Sequence, residues 1–444
     1  MRRLRYSSSK GTMLLPLCRR AAALLLGNLC LGCGTGQSPS LGGLGGAERG
    51  DCELGEVPWE TSLAGGIAEV CVASPPTEDA YLATPEYVDG DPESMTDAPR
   101  VDCVAEAFAR QPDAEAPELA PMGGLVTKFG KAPQPKGLCV AALNEAAFMA
   151  LPCLAGSVDE QVACLGQDLC STCSGCAETP GGPGCAVCDT VVGWTISVPE
   201  TAPFEEEDDD DFGTTYGRYR IDDLPTDTNL VIRVSGPETH WADTYKYGIR
   251  LRSTDYRPDD QLFEQEAPII SRASWRTVPS TARVPRGIQP GHGAIAGSIS
   301  DCGGEVETAA SSCDLANECR PGDPCDCSHG HVCRPNPAGE GGRCQRVPWS
   351  VVGATVGLSR RAASIAYFQG REGDNLPQPG RRSTNILGTF AAIDLPAGET
   401  TVVSVARVAG EPVRLGQSTL YLAPNSIAVI ALRGGWTGHF PWYK

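Results

Sequence analysis

An internal repeat constrains this chain of 444 residues more than any other feature. Residues 217–234 are GRYRIDDLPTDTNLVIRV and residues 388–405 are GTFAAIDLPAGETTVVSV, with six of the eighteen aligned positions identical. Upstream, residues 191–196 (VVGWTI) match residues 351–356 (VVGATV), and each copy follows a cysteine-rich stretch that opens with Cys-x5-Cys. Three blocks that recur in the same order indicate a duplicated structural unit.

Each copy of the repeat predicts two β-strands joined by a turn. Short apolar stretches bounded by turn residues precede the shared Asp-Leu-Pro triplet, and the runs LVIRV (230–234) and VVSV (402–405) follow it. Pro presets φ for a turn, Gly or Asp accepts a positive φ, and β-branched residues suit a half-buried strand. We therefore expect four large side chains to point into two β-sandwich cores: Tyr219, Leu224, Phe390 and Leu395.

The pattern Gly-x-Phe/Tyr, then Asp-Leu-Pro-x-Gly, then a Val-rich strand resembles the carboxypeptidase regulatory-like domain, a transthyretin-like β-sandwich. Residues 293–301 are similar to the family's opening strand and residues 352–356 to its second strand, and residues 124–129 would open the first copy. Both copies depart from the family through long Cys-rich insertions between these strands, and Asp227 replaces the usual turn Gly. The resemblance implies a fold and an accessory role, and it supplies no catalytic residues.

The N-terminal segment predicts export. Residues 21–31 form an apolar run of eleven residues after Arg19-Arg20, too short for a membrane-spanning helix of about 20 residues and typical of a signal peptide. Residues 30–33 (CLGC) resemble a bacterial lipobox, which implies a lipid on Cys33, although Cys30 stands where the family prefers Leu. The alternative is plain secretion, with Cys33 lost or disulfide-bonded.

The cysteine count predicts a disulfide framework. Of 21 cysteines, 18 remain once Cys18 and Cys30 leave with the signal and Cys33 is lipidated. Eleven of them precede the acidic run at residues 205–211 and seven follow it, so full pairing requires at least one bridge between the halves. Cys302 is the best candidate for that bridge. One free thiol in each half, or a bridge to another chain, is the alternative.

Three clusters have the composition of metal sites. Cys170, Cys173 and Cys176 with Cys185 and Cys188 have spacings found in zinc and iron–sulfur sites, and residues 327–333 combine two Cys with two His. The acidic run could attract calcium weakly. An oxidising compartment favours disulfides over thiolate ligands, and adjacent acids favour a solvated loop. We therefore predict no metal site and no cofactor.

Charge and motifs limit the function classes. The net charge is −19, and removal of residues 1–32, which hold six bases and no acids, makes it −25, so nucleic acid would be repelled. The sequence contains no Gly-x-Ser-x-Gly motif, no phosphate loop and no dinucleotide fingerprint. We predict no catalytic residues and expect a protein that is not an enzyme.

Together these features predict a protein anchored by lipid in the cell envelope, at the outer membrane, with a non-catalytic binding or structural role. Its partners would be the membrane and an envelope protein or glycan. The alternative is an envelope enzyme, or an accessory subunit of one, that acts on glycan or peptide. A third and less favoured hypothesis is a metal-binding surface protein.

The predicted fold class is mainly β, with two transthyretin-like or immunoglobulin-like β-sandwiches, disulfide-rich insertions and an irregular acidic N-terminal region. Residues 256–289 are predicted to be a linker, with the alternative that they complete the first sandwich. The segments are a signal peptide (1–32), a Gly/Ser tether with an acidic Cys-containing region (33–119), the first sandwich (120–255), the linker (256–289), the second sandwich (290–436) with its insertion (303–347), and an aromatic tail (437–444).

Overall fold

A computed structural model describes residues 56–63, 66–83, 99, 118–129, 135–166, 168–178, 185–201, 215–226, 228–251, 256–257, 262–301, 304–305, 312–313, 331–335, 342–346, 349–368 and 376–432. The predictions for the signal peptide, Cys33, Cys302, the acidic run and the aromatic tail lie outside these residues. Among the described helices, none is long and apolar enough to cross a membrane.

The acidic N-terminal region contains three strands in its described part. They are β1 (Glu56–Leu63), β2 (Gly66–Ala73) and β3 (Tyr81–Ala83). β1 and β2 form an antiparallel hairpin, and β2 pairs further with a strand of the second repeat, where Cys71 lies opposite Leu358. The β1–β2 hairpin is a local contact, whereas the other partner of β2 and the partner of β3 lie far along the chain, where the local sequence does not indicate them.

The described part of the first repeat contains eleven strands and a small helical insertion. The strands are β4 (Leu119–Phe129), β5 (Cys139–Asn144), β6 (Val191–Ile196), β7 (Val198–Thr201), β8 (Thr215–Pro225), β9 (Leu230–Ser235), β10 (Trp241–Ala242), β11 (Thr244–Ile249), β12 (Tyr256–Arg257), β13 (Leu262–Glu264) and β14 (Ala267–Ser271). The insertion between β5 and β6 holds α1 (Glu145–Met149), a 3-10 turn (Pro152–Ala155), α2 (Val158–Leu165), α3 (Leu169–Glu178) and α4 (Cys185–Cys188).

The second repeat follows after α5 (Arg272–Thr281). Its strands are β15 (His292–Ile299), β16 (Gly304–Glu305), β17 (Ser312–Cys313), β18 (His331–Pro335), β19 (Gly342–Arg346), β20 (Ser350–Val352), β21 (Thr355–Leu358), β22 (Ser364–Tyr367), β23 (Thr389–Pro396), β24 (Gly398–Val408), β25 (Glu411–Leu422) and β26 (Ile427–Leu432). Strands β16 to β19, from the second Cys-rich insertion, form a sheet of their own.

Three larger sheets form the body. The central sheet has the order β22-β23-β15-β26-β11-β9-β5-β6. The first outer sheet contains β10-β14-β4-β13-β12, with β8 paired to β4 and β7 to β8; the second outer sheet has the order β1-β2-β21-β24-β25. Residues 256–289 include β13 and β14, which pair in parallel with β4. These two strands complete the first outer sheet.

Seven strands of each half correspond in chain order and in pairing. The openers β4 and β15 each pair antiparallel with the strand that carries the Asp-Leu-Pro triplet and parallel with the last strand of their half. The strand after the triplet, β9 or β24, lies between two others in both halves. The corresponding pairs are β4 and β15, β5 and β21, β7 and β22, β8 and β23, β9 and β24, β11 and β25, and β14 and β26.

This correspondence corrects one sequence match. The matched residues 191–196 and 351–356 do not occupy equivalent places, because β5 already supplies the strand beside β9 and β6 adds outside it. In the second half, β21 itself lies beside β24. The insertion of the first repeat therefore follows the second strand instead of preceding it. The VVG similarity reflects strand-forming residues and not an equivalent position.

The two sandwiches share the central sheet because β11 pairs in parallel with β26. On one face, the first outer sheet packs over the first-repeat strands of the central sheet, and residues 282–284 after α5 pack against Ala391 and Ile393. On the opposite face, the helical insertion covers the first-repeat strands and the second outer sheet covers the others. Residues 49–444 thus form one unit, in which neither β11 nor β26 presents a free edge.

The core confirms the predicted inward-facing residues. Tyr219 and Leu224 lie in the core of the first sandwich, Phe390 and Leu395 lie in that of the second, and each is at most 2% exposed. Every residue of β9 is buried because both faces of this strand are covered, which explains its almost uninterrupted apolar run.

The Asp-Leu-Pro triplet forms a β-bulge in both repeats. Asp223 and Asp394 have φ values of 58° and 60°, and the pairing register shifts at each of them. Gly398, which follows the Pro in the second repeat, has the positive φ that the sequence predicted, at 135°. The positive φ of the two Asp residues before the Leu was not predicted, and Asp tolerates this conformation better than most residues. The bulge directs Leu224 and Leu395 into the cores.

Candidate functional site

A cleft of about 470 Å³ lies across one end of the central sheet. Its floor takes one residue from each of five neighbouring strands or strand starts. Cys139 lies opposite both Ile196 and Ser235, and Asp243 and Ser426 directly precede the paired residues Thr244 and Ile427. The row therefore runs Ile196, Cys139, Ser235, Asp243, Ser426. Arg233 and Tyr245 also line the cleft. They lie two residues along the strands from Ser235 and Asp243, on the same face of the sheet.

The helical insertion forms the roof of the cleft. Val162, Leu165, Gly166 and Asp168, from α2 and the turn to α3, line it. Ser157 and Glu160 form a capping box that fixes the start of α2. Because α2 ends at Leu165, its last turn and the following loop overhang the floor.

A disulfide ties the roof to the floor. Cys139 on β5 bonds to Cys170 at the start of α3, and Cys153–Cys164, Cys173–Cys188 and Cys176–Cys185 complete the insertion. The described part of the insertion contains five short helical segments, and these four bridges restrict its unfolded state and hold the roof of the cleft in place.

Both repeats contribute to the side wall of the cleft, which lies between the floor and the roof. Pro237, Glu238 and Arg272 come from the first repeat and its following helix, and Pro424 and Asn425 come from the β25–β26 turn. Asn425 has a φ of 57°, and its Oδ1 accepts a hydrogen bond from the N–H of Gly291. The cleft thus depends on contacts among the insertion and both sandwiches.

A partly buried ion pair lies at the base of the cleft. The guanidinium of Arg233, 2% exposed, donates to Asp243 Oδ2 at 2.6 Å and lies 5.4 Å from the ring centre of Tyr245. Burial alone would lower the pKa of Arg233, but its neighbours, Asp243 among them, more than offset this and raise the pKa above its usual value. Burial raises the pKa of Tyr245, so this phenol stays neutral. Arg233 is therefore a permanent cation that Asp243 balances.

Ser235 is the polar group of the floor that most clearly indicates a bound ligand. It is 5% exposed, and its Oγ has no hydrogen-bond partner within the described part of the protein. A buried hydroxyl without a partner is costly, so such groups are uncommon unless a ligand or water completes them. Its position in the middle of the floor makes Ser235 a natural contact for a bound molecule.

The rim of the cleft is acidic. Asp168 and Glu238 are exposed, and among the described residues the hydrogen-bond donors to the Asp168 carboxylate are neutral, the Cys170 N–H and the Ser171 hydroxyl. Arg272 donates through Nε to the backbone carbonyl of Glu238 and lies over the ring of Trp275. The charges of Arg233 and Asp243 balance each other. The opening therefore carries two carboxylates, of Asp168 and Glu238, and one guanidinium, of Arg272.

The structure confirms disulfides over metal for the first Cys cluster. All eight cysteines from Cys139 to Cys188 are paired with one another, and Cys71 is also disulfide-bonded. Among the described residues, the group close enough to share a metal ion is Cys139, Asp168 and Cys170, and its two thiols are joined in a disulfide. The side chains of residues 327–333 and of the acidic run lie outside the described part.

The sequence did not predict a contact between His292 and Asp394. His292 Nδ1 lies 2.8 Å from Oδ1 of Asp394, the bulge residue of the second repeat, and the same oxygen accepts the backbone N–H of Gln289. This contact fastens the start of β15 to the repeat motif.

Sequence reasoning also missed the cleft. Its residues extend from Gly137 to Ser426 and meet only in the folded chain. One local signal was available: Arg233 interrupts the apolar run LVIRV, and a charge inside a fully buried strand needs a partner.

Comparisons with known proteins give little similarity. No family model and no curated protein matches the sequence. A mutant of the shaft pilin SpaA from Lactobacillus rhamnosus GG is 10% identical, with 72% of this chain and 99% of that chain covered and a TM-score of 0.16. A leucine-rich repeat protein from Bacteroides thetaiotaomicron is 8% identical, with 71% and 26% covered and a TM-score of 0.15. At these scores neither similarity bears on fold or function.

Proposed function

We propose that this is a lipid-anchored cell-envelope protein, at the outer membrane, that binds a partner molecule without chemical reaction. The cleft carries the proposal. A concave site with apolar walls and a few convergent polar groups is the usual form of a binding site, and Ser235 offers a buried hydroxyl that a bound molecule would complete. The disulfides support an oxidising compartment, which agrees with an exported protein.

The disulfide-bonded body also suits a binding role. A wall held by four bridges loses little conformational freedom when a partner docks, so little binding energy is spent on ordering it. Cys33 would provide the attachment to the membrane, and residues 34–50, rich in Gly and Ser, would let the body reach its partner.

A pull-down from envelope extract tests the proposal. The full exported chain should capture a partner, and Glu238→Lys at the cleft rim should abolish that capture. Glu411→Lys is the matched control, because Glu411 is also exposed but lies at the β24–β25 hairpin and does not line the cleft. Equal capture by the two variants would contradict a role for the cleft.

A further inference from the structure

Resting on the proposed function, we propose that the cleft holds an extended, positively charged peptide segment with interspersed apolar side chains. Such a segment would belong to a protein of the envelope. Three independent properties of the cleft lead to this ligand: its length, its charge and the division of its lining into apolar and polar parts.

The length of the floor suits an extended chain. The floor crosses five neighbouring strand positions, which at about 4.8 Å per strand spacing makes about 19 Å. An extended peptide advances about 3.3 Å per residue, so about six residues fit along it. The chain would run across the strands, and the α2–α3 turn would cover it from above.

The charge of the rim favours a cation. Asp168 and Glu238 are exposed, and within the described residues neither forms an ion pair. The net charge of −19 adds a long-range field of the same sign. A lysine or arginine side chain would find the carboxylates of Asp168 and Glu238, which outnumber the guanidinium of Arg272 at the opening, so the rim favours a cation over an anion.

The lining of the cleft changes from apolar to polar along its length. Val162, Leu165 and Ile196 form an apolar end, and Val162 and Ile196 are 39% and 44% exposed. Burial of these side chains against an apolar residue would be favourable. In the middle, the Ser235 hydroxyl both donates and accepts, as the N–H and C=O groups of a peptide backbone require.

Fluorescence anisotropy with a labelled peptide of alternating Leu and Lys tests this ligand class. The full chain with intact disulfides should bind this peptide, and should bind the peptide with Glu in place of Lys at least about tenfold more weakly. Affinity for the Lys peptide should fall as NaCl rises from about 0.05 M to about 0.5 M, because exposed charges are screened.

Two variants distinguish a loss of peptide binding from a loss of folding. Glu238→Lys should weaken binding of the Lys peptide about tenfold or more, while Glu411→Lys leaves it unchanged. Ser235→Ala removes a buried hydroxyl without a described partner, so the melting temperature should stay the same or rise while peptide binding weakens. Full binding in Glu238→Lys, or equal binding of the Glu peptide, would overturn the proposal.

The remaining outcomes distinguish this inference from the function on which it rests. If a neutral oligosaccharide displaces the envelope partner and the Lys peptide does not bind, the ligand is a glycan and the peptide proposal is wrong. If Glu238→Lys abolishes partner capture but no peptide binds, the ligand class is wrong and the binding function stands. If neither capture nor peptide binding depends on Glu238, both proposals fail.

Discussion

Glu145 should make the stability of the fold depend on pH. This residue begins α1 at the end of β5, and its Oε2 is buried without a hydrogen-bond partner in the described part of the protein. Burial raises the pKa of the Glu145 carboxyl from 4.5 to about 7, and a hydrogen bond from the Gly248 backbone offsets only part of this effect. The folded state therefore holds a proton that the unfolded chain releases between about pH 4.5 and 7.

The sign and size of the effect follow from that pKa shift. Protonated Glu145 favours the folded state below about pH 4.5, and this contribution is lost as the pH rises through 7. At about 1.4 kcal/mol per pKa unit, the loss is about 3 kcal/mol, a large share of the stability of an ordinary domain. Glu145→Gln keeps the size of the side chain and cannot ionise, so it should not lose stability in this way.

Urea unfolding at about pH 5 and about pH 8, with disulfides intact, measures the effect. From about pH 5 to about pH 8, the free energy of unfolding of Glu145→Gln should increase by about 2–3 kcal/mol relative to that of the original chain, so the variant becomes relatively more stable. The comparison cancels the titration of the other carboxyls. Glu411→Gln, at an exposed position, serves as the control. A stability difference between Glu145→Gln and the original chain that is the same at both pH values would refute the reasoning.

Three further predictions concern the core, the anchor and the cysteines. Phe390→Ala should lower the free energy of unfolding by about 3–5 kcal/mol, because Phe390 is 1% exposed in the second core, and an unchanged melting temperature would contradict its packing role. Cys33→Ser should abolish lipid labelling and release the exported protein from the membrane; a variant that remains bound would disprove the anchor. Non-reducing peptide mapping should find a bridge from Cys52, Cys71 or Cys103 to the second half, because the other eight cysteines of the first half pair among themselves, and two alkylatable thiols would speak against it.

Features that short stretches of sequence encode were predictable. The repeat located the two sandwiches, and the apolar stretches around Asp-Leu-Pro correctly assigned Phe390 and Leu395 to the core. The dense cysteines of residues 139–188 correctly indicated disulfides, because spacing and compartment both favour them. Each of these inferences depends on residues that are near one another in the chain or repeat within it.

Features made by distant contacts were not predictable. β2 joins the second outer sheet because β21 pairs with it across almost 300 residues, and the local sequence of the β1–β2 hairpin does not indicate this partner. The shared central sheet depends on the pairing of β11 with β26, and two separate sandwiches would have the same sequence pattern. The cleft arises only where the insertion, both repeats and the Cys139–Cys170 bridge meet. Arg233, a charged residue within an apolar run, was the one local feature of the sequence that indicated it.

Site-specific photo-cross-linking in intact cells tests most directly that the cleft is where this protein meets its partner. A photoreactive amino acid in place of Pro237, which is exposed at the rim of the cleft and leaves the Glu238 carboxylate in place, should give a discrete adduct of higher mass after irradiation. The same amino acid in place of exposed Glu411, which does not line the cleft, should give none. Irradiation that produces no adduct at position 237, or the same adduct at both positions, would contradict the account.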